Sequence, residues 1–454
     1  MVWIILLLWL VAFVFLIWKL PFFRKSGLTP HFLVSAFVLK ILAGSALTLL
    51  YTYYYTDRSS SDIWKYYDDA EVIYGSLKIN PVHYFELITG INDESEHLQH
   101  YYKEMKNWSP QSEQWLEFTQ TKNYNFFNSN RFVTRFNALV RPASGGNIFV
   151  NIVVFCFISL VGLTAFYRQM RPLVPGKELL AVVCIFLLPS TLLWCSGVLK
   201  DGFILCFINL LVYQLFPPTI GSSDANSSVI QRILAVLLLS WVIILSKYYV
   251  LIALLPGILA FVILRIRKFK RPFFIYSGGV VFLLFFSILI SAVLPDYSGW
   301  NVLARKREES LKSAIFADAN NYLFTDKTDN DWYSVVSRIP ESLVNAIFRP
   351  FINEVDRSPM LLLAASENLL IVVLMLWMIS GSYKGINRSE TAWFFLSFSL
   401  LLAFIIGFTT PVTGGIVRYK TAFIPYLLMA GVIITKLNIP YSGKSKFRNL
   451  IIRD

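Results

Sequence analysis

Charge is scarce in this chain of 454 residues: Asp, Glu, Lys and Arg together make up 15% of it, against roughly 25% in a soluble globular domain. With 56% hydrophobic residues and a mean hydropathy of +0.57, that deficit excludes a water-soluble fold. Cysteine is also rare. Cys156, Cys184, Cys195 and Cys206 all lie in or at the ends of apolar runs, so no disulfide framework is visible and they read as small buried hydrophobes. There is no phosphate-binding glycine loop, no nucleophile elbow and no dinucleotide fingerprint, so nucleotide chemistry on the cytoplasmic side is not indicated. The pair His97 and His100 lacks the Glu and the helical spacing of a zinc protease, and no metal-ligand set is identified. Residues 1–20 have neither a basic leader nor a small-residue cleavage site, and are read as a retained span. No internal repeat of fixed period occurs.

What the chain does have is aromatic and apolar length. Its 38 Phe, 23 Tyr and 12 Trp suit helices that face lipid, with aromatic belts at both interfaces. Apolar runs near the roughly 20 residues needed to cross a bilayer fall at 2–20, 31–54, 147–167, 178–195, 202–216, 231–246, 248–266, 273–294, 367–383, 391–409 and 416–436. The expected fold is all-α: a polytopic transmembrane helical bundle of about 11 spans, with two large, partly helical loops on the outer face. Its parts are an extra first span and turn (1–30), a transmembrane module (31–294) that includes loop 56–146, a second outer loop (295–366), and the last spans with a basic tail (367–454).

Basic residues decide the orientation. One set of alternate connections carries Arg24 and Lys25, then Arg168, Arg171 and Lys177, then Arg265, Arg267 and Arg271, and finally the tail from Lys436 to Arg453. That face is read as cytoplasmic, with the amino terminus outside and the carboxyl terminus inside, in a bacterial inner membrane. Loops 56–146 and 295–366 hold 22 of the 28 acids, so the net charge of +13 is topological and does not indicate nucleic acid. Membrane lipid is the expected surrounding partner.

Ionisable groups at membrane depth are costly and usually functional, and several fall at the outer ends of spans. Asp62, Tyr66, Ala70 and Tyr74 recur every four residues just after the second run, along one face of a helix. A carboxylate there can act as a general base, with Asp68 and Asp69 as competing catalytic candidates, or bind a divalent ion together with another acid. The plainer reading makes Asp62 a helix cap and the others a solvated face. Lys200 and Asp201, at the mouth between two runs, suit a phosphate group, or else pair with one another. Lys247 and Tyr248 sit between two runs with no room for a loop. Arg349, beside Pro350 and near Glu354, Asp356 and Arg357, offers a second guanidinium. Arg418 and Tyr419 follow the glycine turn Gly414-Gly415, where a bound anion or an ion pair with Glu367 would satisfy the arginine.

At these residues the chain resembles the GT-C superfamily, the polytopic glycosyltransferases that use polyprenyl-phosphate sugars, including protein O-mannosyltransferases and the lipid A aminoarabinose transferase. The pattern Asp62-x-x-x-Tyr66-x-x-x-Ala70 is similar to that family's acidic first-loop motif. Gly414 to Tyr419 resembles the Gly-x-x-x-Arg-Tyr that opens a late span. The resemblance implies an active site at the outer membrane face, with Asp62 as catalytic base and a module of about seven spans beginning at the second. It also implies a polyprenyl-phosphate-linked sugar as donor and a glycan, lipid or protein as acceptor. No cofactor is specified beyond an optional divalent metal. Two alternatives remain at this point: an O-antigen polymerase or ligase that relies on Arg349 and Arg418, and a non-enzymatic transporter or flippase of lipid-linked saccharide.

Overall fold

The computed structural model describes residues 2–55, 61–93, 95–105, 108, 130–216, 229–267, 269, 271–293, 298–326, 331–355, 358–381, 389–436 and 446–453. Asp356 and Arg357 lie outside them. The described residues are helical apart from turns and two isolated β-bridges. Among the described residues six helices are long and apolar enough to cross a membrane, and a seventh span is available if the pair Thr413–Ala422 and Ile424–Ile434, bent by 51°, counts as one.

The helices begin where local chemistry allows. After α1 (Val2–Lys19), α2 (Pro30–Tyr53) opens on Thr29, whose hydroxyl accepts from the Phe32 amide, with Pro30 in the first turn where its missing N–H costs nothing. In segment 56–146 α3 (Asp62–Ile79) follows, then α4 (Pro81–Thr89), capped by Asn80, and α5 (Asn130–Ser144). Next come α6 (Ile148–Met170), α7 (Glu178–Phe186), α8 (Pro189–Trp194) and α9 (Lys200–Leu215). The apolar run 178–195 is therefore two short helices broken at Leu187–Leu188, where Pro189 cannot continue the first.

The two runs 231–246 and 248–266 form one helical stretch, α10 (Val229–Ile266), interrupted at Lys247, whose backbone is extended (φ −156°, ψ 88°). Unbroken, 38 residues would extend about 57 Å, nearly twice the roughly 30 Å of a hydrocarbon core. The break leaves two pieces of span length. The remaining helices are α11 (Pro272–Val293), α12 (Gly299–Phe316), α13 (Ile339–Phe348), α14 (Pro359–Ser380), α15 (Glu390–Thr409), α16 (Thr413–Tyr419) and α17 (Ile424–Ile434).

Packing separates core from periphery. In α6 and α15 about 72% and 67% of the span is buried, whereas in α11 only 6% is, and Phe282, Phe285, Phe286 and Leu289 of α11 face outward. In water such a face would be a liability, but against lipid tails it needs no protein partner. Small residues allow the closest crossings. A Cβ on Gly44 of α2 would lie 2.1 Å from the Ser196 carbonyl oxygen, and one on Gly162 of α6 would lie 2.4 Å from Cys206 Cα.

The bundle has two chemically distinct ends. At one, the tail residues Ile451 and Arg453 hydrogen-bond Thr29 and Gly27, Arg171 donates to the Arg453 carbonyl (2.7 Å), and Lys177 donates to the Val432 (2.8 Å) and Thr435 (2.6 Å) carbonyls at the end of α17. The other end, about 36 Å away along the 24 residues of α2, holds a cavity and a knot of charges.

Candidate functional site

Four separate parts of the chain meet at that end. Arg418 in α16 bridges two carboxylates: its Nε lies 2.5 Å from Asp201 Oδ2, and its Nη1 lies 2.5 Å from Asp62 Oδ2. Asp201, in the first turn of α9, also receives Lys247 Nζ at 3.0 Å. The interruption of α10 at Lys247 turns this lysine inward, with its ammonium 4.1 Å from the centre of the Tyr419 ring. Lys200 donates to Asn130 Oδ1 at 3.0 Å, and the same oxygen accepts from Tyr66 at 2.8 Å. Lys200 is also within electrostatic reach of Arg418, Lys247, Asp62 and Asp201.

The two carboxylates differ in freedom. The Asp201 side chain is 2% exposed and the Asp62 side chain 36%. Asp201 is thus an interior anchor, and Asp62 is the partner that solvent and ligand can reach. Burial pushes the Asp62 carboxyl up, but Arg418, Lys200 and Lys65 outweigh it and hold it below the ordinary carboxylate range. Arg418 Nη2 is buried and has no hydrogen-bond partner among the described residues.

A cavity of about 570 Å³ opens over this knot, with Asp62, Arg418 and Tyr419 in its lining. Its other walls come from the end of α2, the turn after α8, the glycine turn 414–415, and Asn320 and Asn321 of segment 295–366. A Cβ added at Gly414 would meet no atom within 4 Å, so this wall is open space. The loop is fastened beside it: Leu323 N donates to the Pro411 carbonyl, and Thr413 donates through both its N and its Oγ1 to the Asn321 carbonyl.

The residues singled out in the sequence divide accordingly. Asp62, Lys200, Asp201, Lys247, Arg418 and Tyr419 form one cluster. Asp68 and Asp69 follow Asp62 on α3 but do not line the cavity, and Asp69 is buried. Tyr248 stacks edge-on with Tyr249, away from the lining. Arg349 pairs with Glu354 at 3.1 Å and is also outside the lining. Asp201 does not pair with its neighbour Lys200, and the partners of Arg418 are Asp62 and Asp201 rather than Glu367. Glu367 instead accepts from Ser190 N (2.9 Å) and Oγ (2.7 Å), capping α8 from α14, while Lys420 is held by Asn368. Sequence reasoning missed Asn130, Asn320 and Asn321, because a single Asn in a polar loop carries no signal without its neighbours. Among the described residues, no group of three or more His, Cys, Asp or Glu side chains could hold a metal ion.

Fold and cluster together define a helical membrane protein with a cavity over a cluster of ion-paired side chains at one end of its bundle. No family model, curated protein or solved structure matches this sequence.

Proposed function

We propose that this chain is a glycosyltransferase of the GT-C type, which moves a sugar from a polyprenyl-phosphate carrier to an acceptor hydroxyl at the outer face of a bacterial inner membrane. The fuller topology belongs to the same reading: about 11 spans, amino terminus outside, carboxyl terminus cytoplasmic. The observation that carries it is Arg418, whose Nη2 has no hydrogen-bond partner among the described residues, at the wall of a cavity of small-molecule size. A guanidinium that keeps one donor beyond its two carboxylate partners can take a phosphate oxygen on it.

The chemistry follows from these positions. The carrier phosphate docks on Arg418, with Lys200 and Lys247 adding positive potential. The acceptor oxygen attacks the anomeric carbon as the bond from that carbon to the phosphate oxygen breaks, and the bonding pair stays on the phosphate. The acceptor proton passes to Asp62. As Arg418 turns toward the phosphate, its hold on Asp62 weakens and the carboxylate becomes a better base at the moment the proton must leave. Asp201 is a positioning residue that holds Arg418 and Lys247 in place.

The test uses purified full-length protein. Arg418→Met should abolish binding of a polyprenyl monophosphate and transfer from its glycosyl derivative, whereas Arg349→Met should leave both within about twofold, its Glu354 pair being partly exposed. An Arg418→Met protein that is folded and still transfers at the wild-type rate overturns the reading. Loss of activity in Arg349→Met would favour the polymerase or ligase chemistry instead.

A further inference from the structure

The wall of the cavity that carries Asn320 and Asn321 is tied to the wall that carries Arg418, and a buried arginine braces the tie. After α12 the chain reverses through two residues of positive φ, Asp318 (47°) and Asn321 (60°), both of a type that tolerates that region. The strap 320–326 then runs antiparallel to the turn before α16. Tyr322 and Val412 form an isolated bridge, Leu323 N donates to the Pro411 carbonyl at 2.7 Å, and the Asn321 carbonyl accepts from Thr413 N (3.2 Å) and Oγ1 (3.1 Å). The helix that delivers Arg418 begins at Thr413. So short a pairing is marginal by itself.

Arg307 of α12, its side chain 3% exposed, donates from Nη1 to the Phe408 carbonyl at 3.0 Å and from Nη2 to Asp326 Oδ1 at 3.1 Å. Its guanidinium carbon lies 3.3 Å from the centre of the Phe324 ring and 5.1 Å from that of Phe408. Phe324 and Asp326 belong to the strap, and Phe408 to the end of α15 that leads into the turn. Arg338, just before α13, engages the other oxygen of Asp326. Lifting the strap would take Asp326 and Phe324 away from a buried guanidinium, which is costly in a way that parting two solvated surfaces is not. We infer that Arg307 is a positioning residue: it locks the strap 320–326 to the turn 408–413 and so sets where α16 presents Arg418 to the cavity, although Arg307 is itself outside the lining. The functional consequence rests on the anion-binding reading of Arg418, and the lock does not.

Joining the bridge covalently tests it. Tyr322→Cys with Val412→Cys places two thiols on paired residues of an antiparallel bridge, within the usual span of a disulfide, and the four native cysteines are buried. Full-length protein in lipid nanodiscs is scored for the rate of disulfide formation and for equilibrium binding of a bare polyprenyl monophosphate. In the otherwise wild-type protein the disulfide should form readily and leave affinity within about twofold. Arg307→Met should slow its formation and weaken binding about tenfold, and the disulfide, once formed, should restore most of that affinity. Asp326→Asn, at a half-exposed position of the strap, should act in the same direction and guards against a folding defect of the buried variant. Disulfide formation at the wild-type rate in both variants overturns the lock. Binding that Arg307→Met leaves unchanged, or weakens beyond rescue by the disulfide, overturns the positioning role, as does loss of binding when the bridge is joined in the presence of Arg307. If the wild type does not bind the phosphate at all, the anion-site reading falls, and the rates of disulfide formation alone decide the lock.

Discussion

Arg418 and Asp201 lie 217 residues apart in sequence, yet the guanidinium Nε of one meets the carboxylate of the other at 2.5 Å. The contact ties the late helix that delivers Arg418 to the start of α9, and Lys247 closes the knot from the break in α10. A carboxylate that is 2% exposed and shared by two cations is stabilising only while all three are present. Asp201→Ala should therefore cost about 3–5 kcal/mol, the range for leaving a buried charge without its partner, and be read as a lower melting temperature of the purified protein. The double variant Asp201→Ala, Lys247→Met should recover part of that loss, because one of the stranded cations is gone. Equal and additive losses would mean that Asp201 and Lys247 are not coupled.

Much of this site is legible in the amino-acid sequence, for a physical reason. Lys200, Lys247 and Arg418 stand out because a charge beside an apolar run is anomalous wherever it occurs. Their partners were not legible. Asp201 next to Lys200 reads as a local pair, but the first turn of a helix splays adjacent side chains apart, and Asp201 reaches inward to Arg418 and Lys247 while Lys200 turns to Asn130. Tyr66 shares a helical face with Asp62, yet it is fully buried and donates to Asn130, since periodicity gives a shared face but not what that face packs on. Span counting shows the same division. Apolar runs locate helical material reliably, but breaks such as Leu187–Leu188 and Lys247 depend on tertiary contacts that a hydropathy window averages away.

The acid side of the pH profile follows from Asp62 and Asp326. Burial raises both carboxyls, but Asp62 is held low on balance by Arg418, Lys200 and Lys65, and Asp326 by Arg338 and Arg307. For a carboxylate whose folded value lies below its unfolded one, the stability contribution is complete above the unfolded value, about 4, and is lost as pH falls through the folded value. The melting temperature should thus not drop on account of these groups between pH 7 and pH 5, and should decline below pH 4. Arg338→Met should flatten the part due to Asp326. A decline on their account already complete at pH 5 would contradict the ion pairs.

Loops 56–146 and 295–366 should both lie outside the cytoplasm, because the acids are concentrated there and the basic clusters Arg168, Arg171 and Lys177 gather with Arg453 at the opposite end of the bundle. Cysteines introduced at Lys103 and Ala317, both exposed, should react with a membrane-impermeant maleimide in spheroplasts. One introduced at Arg171 should react only after lysis. Protection of Lys103→Cys or Ala317→Cys until lysis would reverse the orientation and remove the outer-face site.

Asp62 is the residue on which the proposed transfer chemistry most depends, and its isosteric replacement separates base from scaffold. Asp62→Asn keeps the shape of the first turn of α3 and leaves Arg418 with its interior partner Asp201. The fold should therefore survive: an ion pair whose carboxylate is 36% exposed contributes little once solvent screening is counted. Transfer should fall by a factor of about a hundred or more, the range for loss of a general base. Binding of the bare polyprenyl phosphate should hold or tighten, since Arg418 Nη1 is then released toward the anion. Asp68→Asn and Asp69→Asn, outside the cavity lining, should retain transfer, with Asp69→Asn losing stability because its side chain is buried. Transfer at the wild-type rate by Asp62→Asn, with Asp68→Asn or Asp69→Asn inactive though folded, would move the base along α3. Activity in all three variants would remove the acid-base role from this helix, leaving Arg418 with an anion but no proton acceptor beside it.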